Sequence, residues 1–169
     1  MQDYHEFLDE ILISEEEIQQ RVLNLGTRIS RDYKDQDLLL VCVLRGGVMF
    51  LTDLMRHILV PHHLDFMAVA SYGVGARASS GQPRITLDVN MDIRGRNVLL
   101  VEDIIDSGHT ISAVMDFLAT RRPASISVCT LLDKEERREV PVPIRYSGFK
   151  IPNKFVFGYG LDLDDYFRN

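Results

Sequence analysis

Cysteine is scarce in this chain, long apolar runs are missing and positive charge is in the minority, and each shortage closes off a class of protein. Only Cys42 and Cys129 occur among 169 residues. Each falls inside an apolar, strand-like run, which argues against a disulfide framework and reads as two buried thiols acting as small hydrophobes. The longest unbroken apolar run, Leu38 to Leu44, has seven residues, far short of the roughly 20 that a bilayer-spanning helix needs, so no membrane partner is expected. Lys and Arg number 19 against 25 Asp and Glu, a net charge of -6. A field of that sign repels polyanions, so nucleic acid is not an expected partner. Residues 1–10 carry Asp3, Glu6, Asp9 and Glu10 and no Lys or Arg, the reverse of a secretory or mitochondrial leader, and a cytoplasmic location is expected. Neither a G-x-G-x-x-G following a strand nor a Walker pattern occurs, which sets aside the common dinucleotide and triphosphate folds.

What is present is the make-up of an ordinary globular domain: 46% apolar and 26% charged residues, in a length that fits one core. Short β-branched runs alternate with helical patterns, which predicts an α/β protein built on a mainly parallel twisted sheet flanked by helices. Ser14 and Glu17 form a capping-box pattern ahead of Ile18, Val22, Leu25 and Ile29 at helical spacing, predicting a helix over 14–32. Strands are predicted over 38–44, 64–71, 84–89, 97–103 and 125–132, and helices over 48–59 and 110–120. The stretch after Ser71, rich in Gly and Ser, is long for a connection and is a candidate moving part. Beyond Asp133 the pattern turns to charge, proline and short strand-like pieces at 145–149 and 155–158. A single domain over 1–169 is expected, its core spanning about 14–132, with a small accessory lobe built from about 1–13 and 133–169.

The richest chemistry lies in Val98 to Thr110. A buried strand runs into Glu102 and Asp103, then a short loop with Asp106, Ser107 and Gly108, then His109 and Thr110 opening a helix. Such a turn aims successive N–H groups and the positive end of a helix dipole at one spot, which suits a phosphate monoester. Hydroxyls at a helix start also serve as plain caps, and both readings stand on these grounds. Two carboxylates at a strand's carboxyl end can accept from sugar hydroxyls or help hold Mg2+.

Glu102 to Thr110 resembles the phosphoribosyl pyrophosphate signature of type I phosphoribosyltransferases, and the order of further segments is similar to the family's hypoxanthine-guanine (6-oxopurine) branch. Leu44-Arg45-Gly46-Gly47 looks like its pyrophosphate loop, Ser71-Tyr72-Gly73 like the opening of its flexible loop, and Leu132-Asp133-Lys134 like the entry to its hood. Tyr146 to Phe149 and Phe155 to Asp162 look like its purine-binding tail. The resemblance implies the type I phosphoribosyltransferase fold with a small hood lobe, a purine-salvage activity, and phosphoribosyl pyrophosphate and 6-oxopurine bases as partners. The activity it implies is Mg2+-dependent transfer of the 5-phosphoribosyl group to N9 of hypoxanthine or guanine. Glu102 and Asp103 would hold the ribose hydroxyls and support Mg2+, and Asp162 would bind a second Mg2+ through water. Asp106, Ser107, Gly108, His109 and Thr110 would wrap the 5'-phosphate, and Asp106 would also serve N7 as acid or base.

By the same resemblance Lys134 would donate to O6, Phe155 would stack on the base, and Val156 and Asp162 would read its edge through the backbone. Arg45, Gly46, Ser71, Tyr72, Arg138 and Arg168 would receive pyrophosphate. In the family the peptide bond before the position of Arg45 is often cis, and the relatives are usually dimers or tetramers. For an isolated Phe core packing is the ordinary reading, for His57, His62 and His63 a solvated turn, and for Asp164 and Asp165 a solvated face. Two rival classes are set aside. A regulator on the same scaffold would need a basic surface or added length, and a receiver module would place its acids after the first strand.

Overall fold

The computed structural model of the chain describes residues 7–70 and 84–169. Helix α1 (Glu15–Asp32) starts at the expected cap. The Ser14 hydroxyl accepts from the Glu17 N–H at 3.2 Å, and the Glu17 carboxylate accepts from the Ser14 N–H at 2.8 Å, so two amides that the first turn would leave orphaned are satisfied. β1 (Leu38–Leu44) has six of its residues buried, which is what a seven-residue apolar run needs to escape water on both faces.

α2 (Val48–Arg56) ends three residues before the expected Leu59. Its last turn tightens to His57 N–H donating to Leu54 and Ile58 N–H to Met55, and the Leu59 N–H is taken by the Ser30 hydroxyl of α1 at 2.8 Å rather than by a helix carbonyl. β2 (His62–Ala70) begins two residues early, because His62 and His63 pair with Leu38 and Leu39 of β1; these histidines belong to a strand and not to a solvated turn. β3 (Arg84–Leu87) stops short of Val89, whose N–H is captured by Asp88, while the buried carboxylate of Asp65 takes the N–H groups of Asn90 and Met91.

β4 (Asn97–Ile105) and β5 (Ser125–Asp133) run longer than expected, because Ile104 and Ile105 still pair with Leu132 and Asp133. Between them lies α3 (His109–Ala119). β6 (Ile144–Lys150) pairs in parallel with β5. The 145–149 piece, expected in the accessory lobe, is thus the edge strand of the main sheet. The 155–158 piece forms no strand: positive φ at Gly158, Tyr159 and Gly160 reverses the chain and leaves one isolated bridge between Gly158 and Leu161.

The six strands lie in the order β3-β2-β1-β4-β5-β6, all parallel except β3. Alternate residues of the central strands feed two apolar layers. Leu38, Leu40, Cys42, Leu99 and Val101 pack with Val22, Leu25 and Ile29 of α1 and Phe50, Leu51 and Leu54 of α2. Leu39, Val41, Val98 and Leu100 pack with Ile111, Val114 and Leu118 of α3. Each helix thereby covers one face of a sheet that would otherwise expose two apolar surfaces. No helix among the described residues is long and apolar enough to cross a membrane.

Candidate active site

The carboxyl ends of β1, β4 and β5 lie side by side, and the loops leaving them converge, as open parallel sheets commonly arrange their ligand sites. After β4 the chain turns at Gly108, where φ is +91°. An added Cβ there would lie 2.9 Å from the Val140 carbonyl oxygen and about as close to Val142 and Arg138, so both backbone angle and space call for glycine. Among the described residues, none of the backbone N–H groups from Ser107 to Ile111 donates to another protein group. The loop is thus a cradle of free donors at the start of α3, where the helix dipole adds positive potential. The segment after β5 braces it: the Ser107 carbonyl accepts from Glu139 and Val140, and the His109 ring is 2.9 Å from the Glu139 carboxylate.

Asp106 and Lys134, far apart in sequence, meet here. The Lys134 ammonium, buried at 7% exposure, stands 3.8 Å from Asp106 Oδ2. Its backbone N–H donates to the Ile105 carbonyl, which ties the start of the 134–138 turn to the end of β4. Arg137, which no motif singled out, donates from Nε to Asp106 Oδ1 at 3.1 Å. Its only signal was its place three residues after Lys134, a spacing that puts both cations on one side of the short 3-10 turn at Glu135–Arg137.

Glu102 is buried, and its Oε2 has no hydrogen-bond partner among the described residues. Burial, with the Asp103 charge beside it, pushes its carboxyl well above the usual carboxylate range. Burial raises the Asp103 carboxyl too, against the pull of the Ile104 N–H, which donates to it at 2.8 Å. Gly46 makes this possible: a Cβ at that position would overlap Asp103 Oδ2, at 1.7 Å. The Leu44–Arg45 peptide bond is cis. The Cys42 thiol is held up at about 12 by burial and by the Glu102 and Asp103 charges, and Cys129 is also buried with a raised thiol; neither is poised as a nucleophile.

The tail closes over this floor. A Cβ on Gly160 would fall 2.0 Å from the Gly46 carbonyl oxygen, and the Tyr159 hydroxyl donates to Asp53 of α2 at 2.6 Å. Arg168 donates to the Gly160 carbonyl and pairs with Asp162, each at 2.7 Å. Phe155 is 71% exposed, whereas Val156 packs on the α1–α2 core layer. A cavity of about 780 Å³ runs between residues 7–13 and 154–161 and reaches Asp103, but it is not lined by Asp106 or Lys134.

Several expected site residues are placed differently. The Asp162 carboxylate, expected to reach a second Mg2+ through water, is engaged by Arg168 and by the Asp165 N–H, and no group of three or more metal-ligating side chains exists among the described residues. Arg138 faces the buried Asp133 carboxylate and the Ile105 carbonyl beneath the Gly108 turn, not open solvent. Asp164 and Asp165 are exposed, as a solvated face requires, and there Asp165 Oδ1 pairs with Arg45 and Arg168. Ser71 and Tyr72 lie outside the described residues.

Comparison with known proteins agrees with this geometry. The phosphoribosyl transferase domain family matches residues 10–164. A hypoxanthine phosphoribosyltransferase of Salmonella typhimurium is 48% identical over 162 residues, covering 95% of this chain and 90% of the relative. A hypoxanthine-guanine phosphoribosyltransferase of Mycobacterium avium is 50% identical over 165 residues, covering 94% and 81%. Among solved structures, a hypoxanthine phosphoribosyltransferase from Staphylococcus aureus superposes with a TM-score of 0.92 at 39% identity, covering 98% of this chain and 89% of that one. With its amide cradle at the end of β4, its paired acids beneath and its match over nearly the whole length, the chain belongs to the phosphoribosyltransferase family.

Proposed function

We propose that the protein transfers the 5-phosphoribosyl group of phosphoribosyl pyrophosphate to N9 of hypoxanthine or guanine, releasing pyrophosphate and giving IMP or GMP. The observation that carries this reading is the meeting of three features at one sheet end: the free amides of 107–111, the Glu102–Asp103 pair, and Lys134 within 3.8 Å of Asp106. The amides and the Ser107 and Thr110 hydroxyls receive the 5'-phosphate. Glu102 and Asp103 accept from the ribose hydroxyls. Lys134 donates to O6 of the base, Phe155 offers its exposed ring for stacking, and Val156 and Asp162 meet the base edge through backbone groups. A buried ammonium facing the amino group of adenine would stay unpaired, which supports selection of 6-oxopurines.

The C1'–O bond breaks with its electron pair leaving on pyrophosphate, and the N9 lone pair closes the new bond to C1'. As N9 attacks, the N7 proton passes to the Asp106 carboxylate. Arg45 and Arg168 offer guanidinium donors to the departing anion. Mg2+ fits the donor set, because Glu102 and Asp103 are hard oxygen ligands and Glu102 keeps an unpartnered buried oxygen. Mg2+ commonly binds through one or two carboxylates and takes its other ligands from substrate and water. When bound, the ion would neutralise charge on the phosphoribosyl pyrophosphate.

Residues 7–13 and 151–169 form the hood in this reading, with β6 given to the sheet, and the active unit is a dimer or tetramer, measurable by sedimentation. The activity test is a spectrophotometric assay with Mg2+, phosphoribosyl pyrophosphate and each base in turn. Turnover of hypoxanthine or guanine with little of adenine is expected; no turnover of any 6-oxopurine would reject the reading.

A further inference from the structure

We infer that Asp165 is a built-in stand-in for pyrophosphate, a carboxylate that holds the leaving-group subsite in the free protein and must yield when substrate binds. A single oxygen, Oδ1, accepts from Arg45 Nη2 at 2.6 Å and from Arg168 Nη2 at 3.0 Å. These are the two guanidinium groups that the proposed function assigns to pyrophosphate, and the inference rests on that reading. They come from distant parts of the chain, the first from the loop after β1 and the second from the tail.

Asp165 is aimed at them by its own backbone. Its N–H donates to Asp162 Oδ2 at 2.9 Å, and φ is +52° at Asp164 and +68° at Asp165, a left-handed pair that Asp tolerates better than most residues. Carboxylate and phosphate oxygens offer a guanidinium the same acceptor chemistry, so the side chain and the leaving group compete for the same N–H donors.

The two arginines differ in how firmly they are held. Arg168 has other partners in the Gly160 carbonyl and Asp162. For the Arg45 side chain, Asp165 is the one partner among the described residues. The Arg45–Asp165 pair is also open to water, at 70% and 62% side-chain exposure. An ion pair so placed is weak and easily exchanged, as a contact remade in each turnover has to be. Substrate binding exchanges Asp165 for pyrophosphate on Arg45. After transfer the carboxylate, always at hand, recaptures Arg45 and speeds release of the product anion.

The test is titration calorimetry of inorganic pyrophosphate with Mg2+ into the full chain. Asp165→Asn should tighten pyrophosphate binding by about 2- to 5-fold, the reach of an exposed ion pair, and the gain should shrink in high salt. Asp165→Glu should return the affinity towards the parent value, binding of nucleoside monophosphate should stay unchanged, and the gain should vanish in an Arg45→Ala background. Unchanged or weaker pyrophosphate binding in Asp165→Asn would overturn the inference and make the residue a strut that positions Arg45. If Arg45→Ala binds pyrophosphate as well as the parent does, the assignment of Arg45 fails first, a result distinct from failure of the Asp165 exchange.

Discussion

Glu102→Gln should stabilise the protein while weakening its grip on ligand. The buried Glu102 carboxyl has an unpartnered Oε2 and titrates well above its ordinary 4.5 because burial and the Asp103 charge oppose ionisation. A carboxyl raised on folding binds more protons in the native state than in the unfolded one once the pH exceeds that ordinary value, so its contribution turns unfavourable as pH rises towards the native pKa. Below pH 4.5 both states are protonated and the group is neutral in effect. The glutamine amide is as buried and as polar but never ionises, so the variant is spared the cost of the charge alone, about 1–3 kcal/mol. At pH 8 the glutamine variant should therefore melt about 2–12 °C higher, using about 2–4 °C per kcal/mol for a chain of this size. At pH 4 the two proteins should nearly coincide. Calorimetric scans at both pH values supply the check, and Mg2+ with phosphoribosyl pyrophosphate should raise the melting point of the parent more than that of the variant. A variant less stable than the parent at pH 8, or a difference independent of pH, would refute the argument that Glu102 is held at a cost for its ligand.

Asp106→Asn should lower kcat by about 10²- to 10⁴-fold if the carboxylate takes the N7 proton, with nucleotide affinity largely kept because the amides of 107–111 are untouched; an unchanged kcat removes Asp106 from proton transfer. Lys134→Gln should raise the adenine-to-hypoxanthine ratio of kcat/KM by about 10- to 100-fold, the worth of one charged hydrogen bond, and competition assays that return the parent preference would reject the O6 contact. Gly108→Ala sets a side chain at φ +91° against the Val140 carbonyl. The backbone term alone is about 1–2 kcal/mol, so melting should fall and nucleoside monophosphate binding weaken together, and a variant that melts like the parent would show that the turn can relax.

The sheet was legible because its signals are local and periodic. Seven apolar residues in a row at Leu38–Leu44 and four at Val98–Val101 can be buried only in central parallel strands, and the alternation between helix and strand leaves little choice of topology. Strand ends were less legible, since Ile104 and Ile105 remain in β4 only because β5 is still there to pair with them. The turn and its free amides, proposed to hold phosphate, could be read from Asp106 to Thr110 because Gly108 and the helix start encode them within a few residues. Arg137 and Asp165 could not. Arg137 earns its place from Asp106, a residue on another strand end, and Asp165 from a guanidinium 120 positions away. A charged residue outside a motif carries no local mark of its partner.

The segment from Asp133 to Val142 ties the proposed base and phosphate contacts into one mechanical unit. Arg138 was expected to face pyrophosphate, yet its guanidinium pairs with buried Asp133 and reaches the Ile105 carbonyl, while its aliphatic stem and the Val140 carbonyl fill the space that only glycine at 108 leaves open. Four residues earlier Lys134 presents its ammonium to Asp106. One short stretch thus supports the cradle from below and supplies the cation proposed to read the base. A shift of that stretch that moved Lys134 away from the base would also withdraw the Ser107 carbonyl's partners at Glu139 and Val140 and loosen the phosphate loop. Because both contacts hang on the same backbone, a wrong base that leaves Lys134 unpaired should also weaken the hold on the sugar phosphate, and discrimination should be felt in turnover as well as in binding.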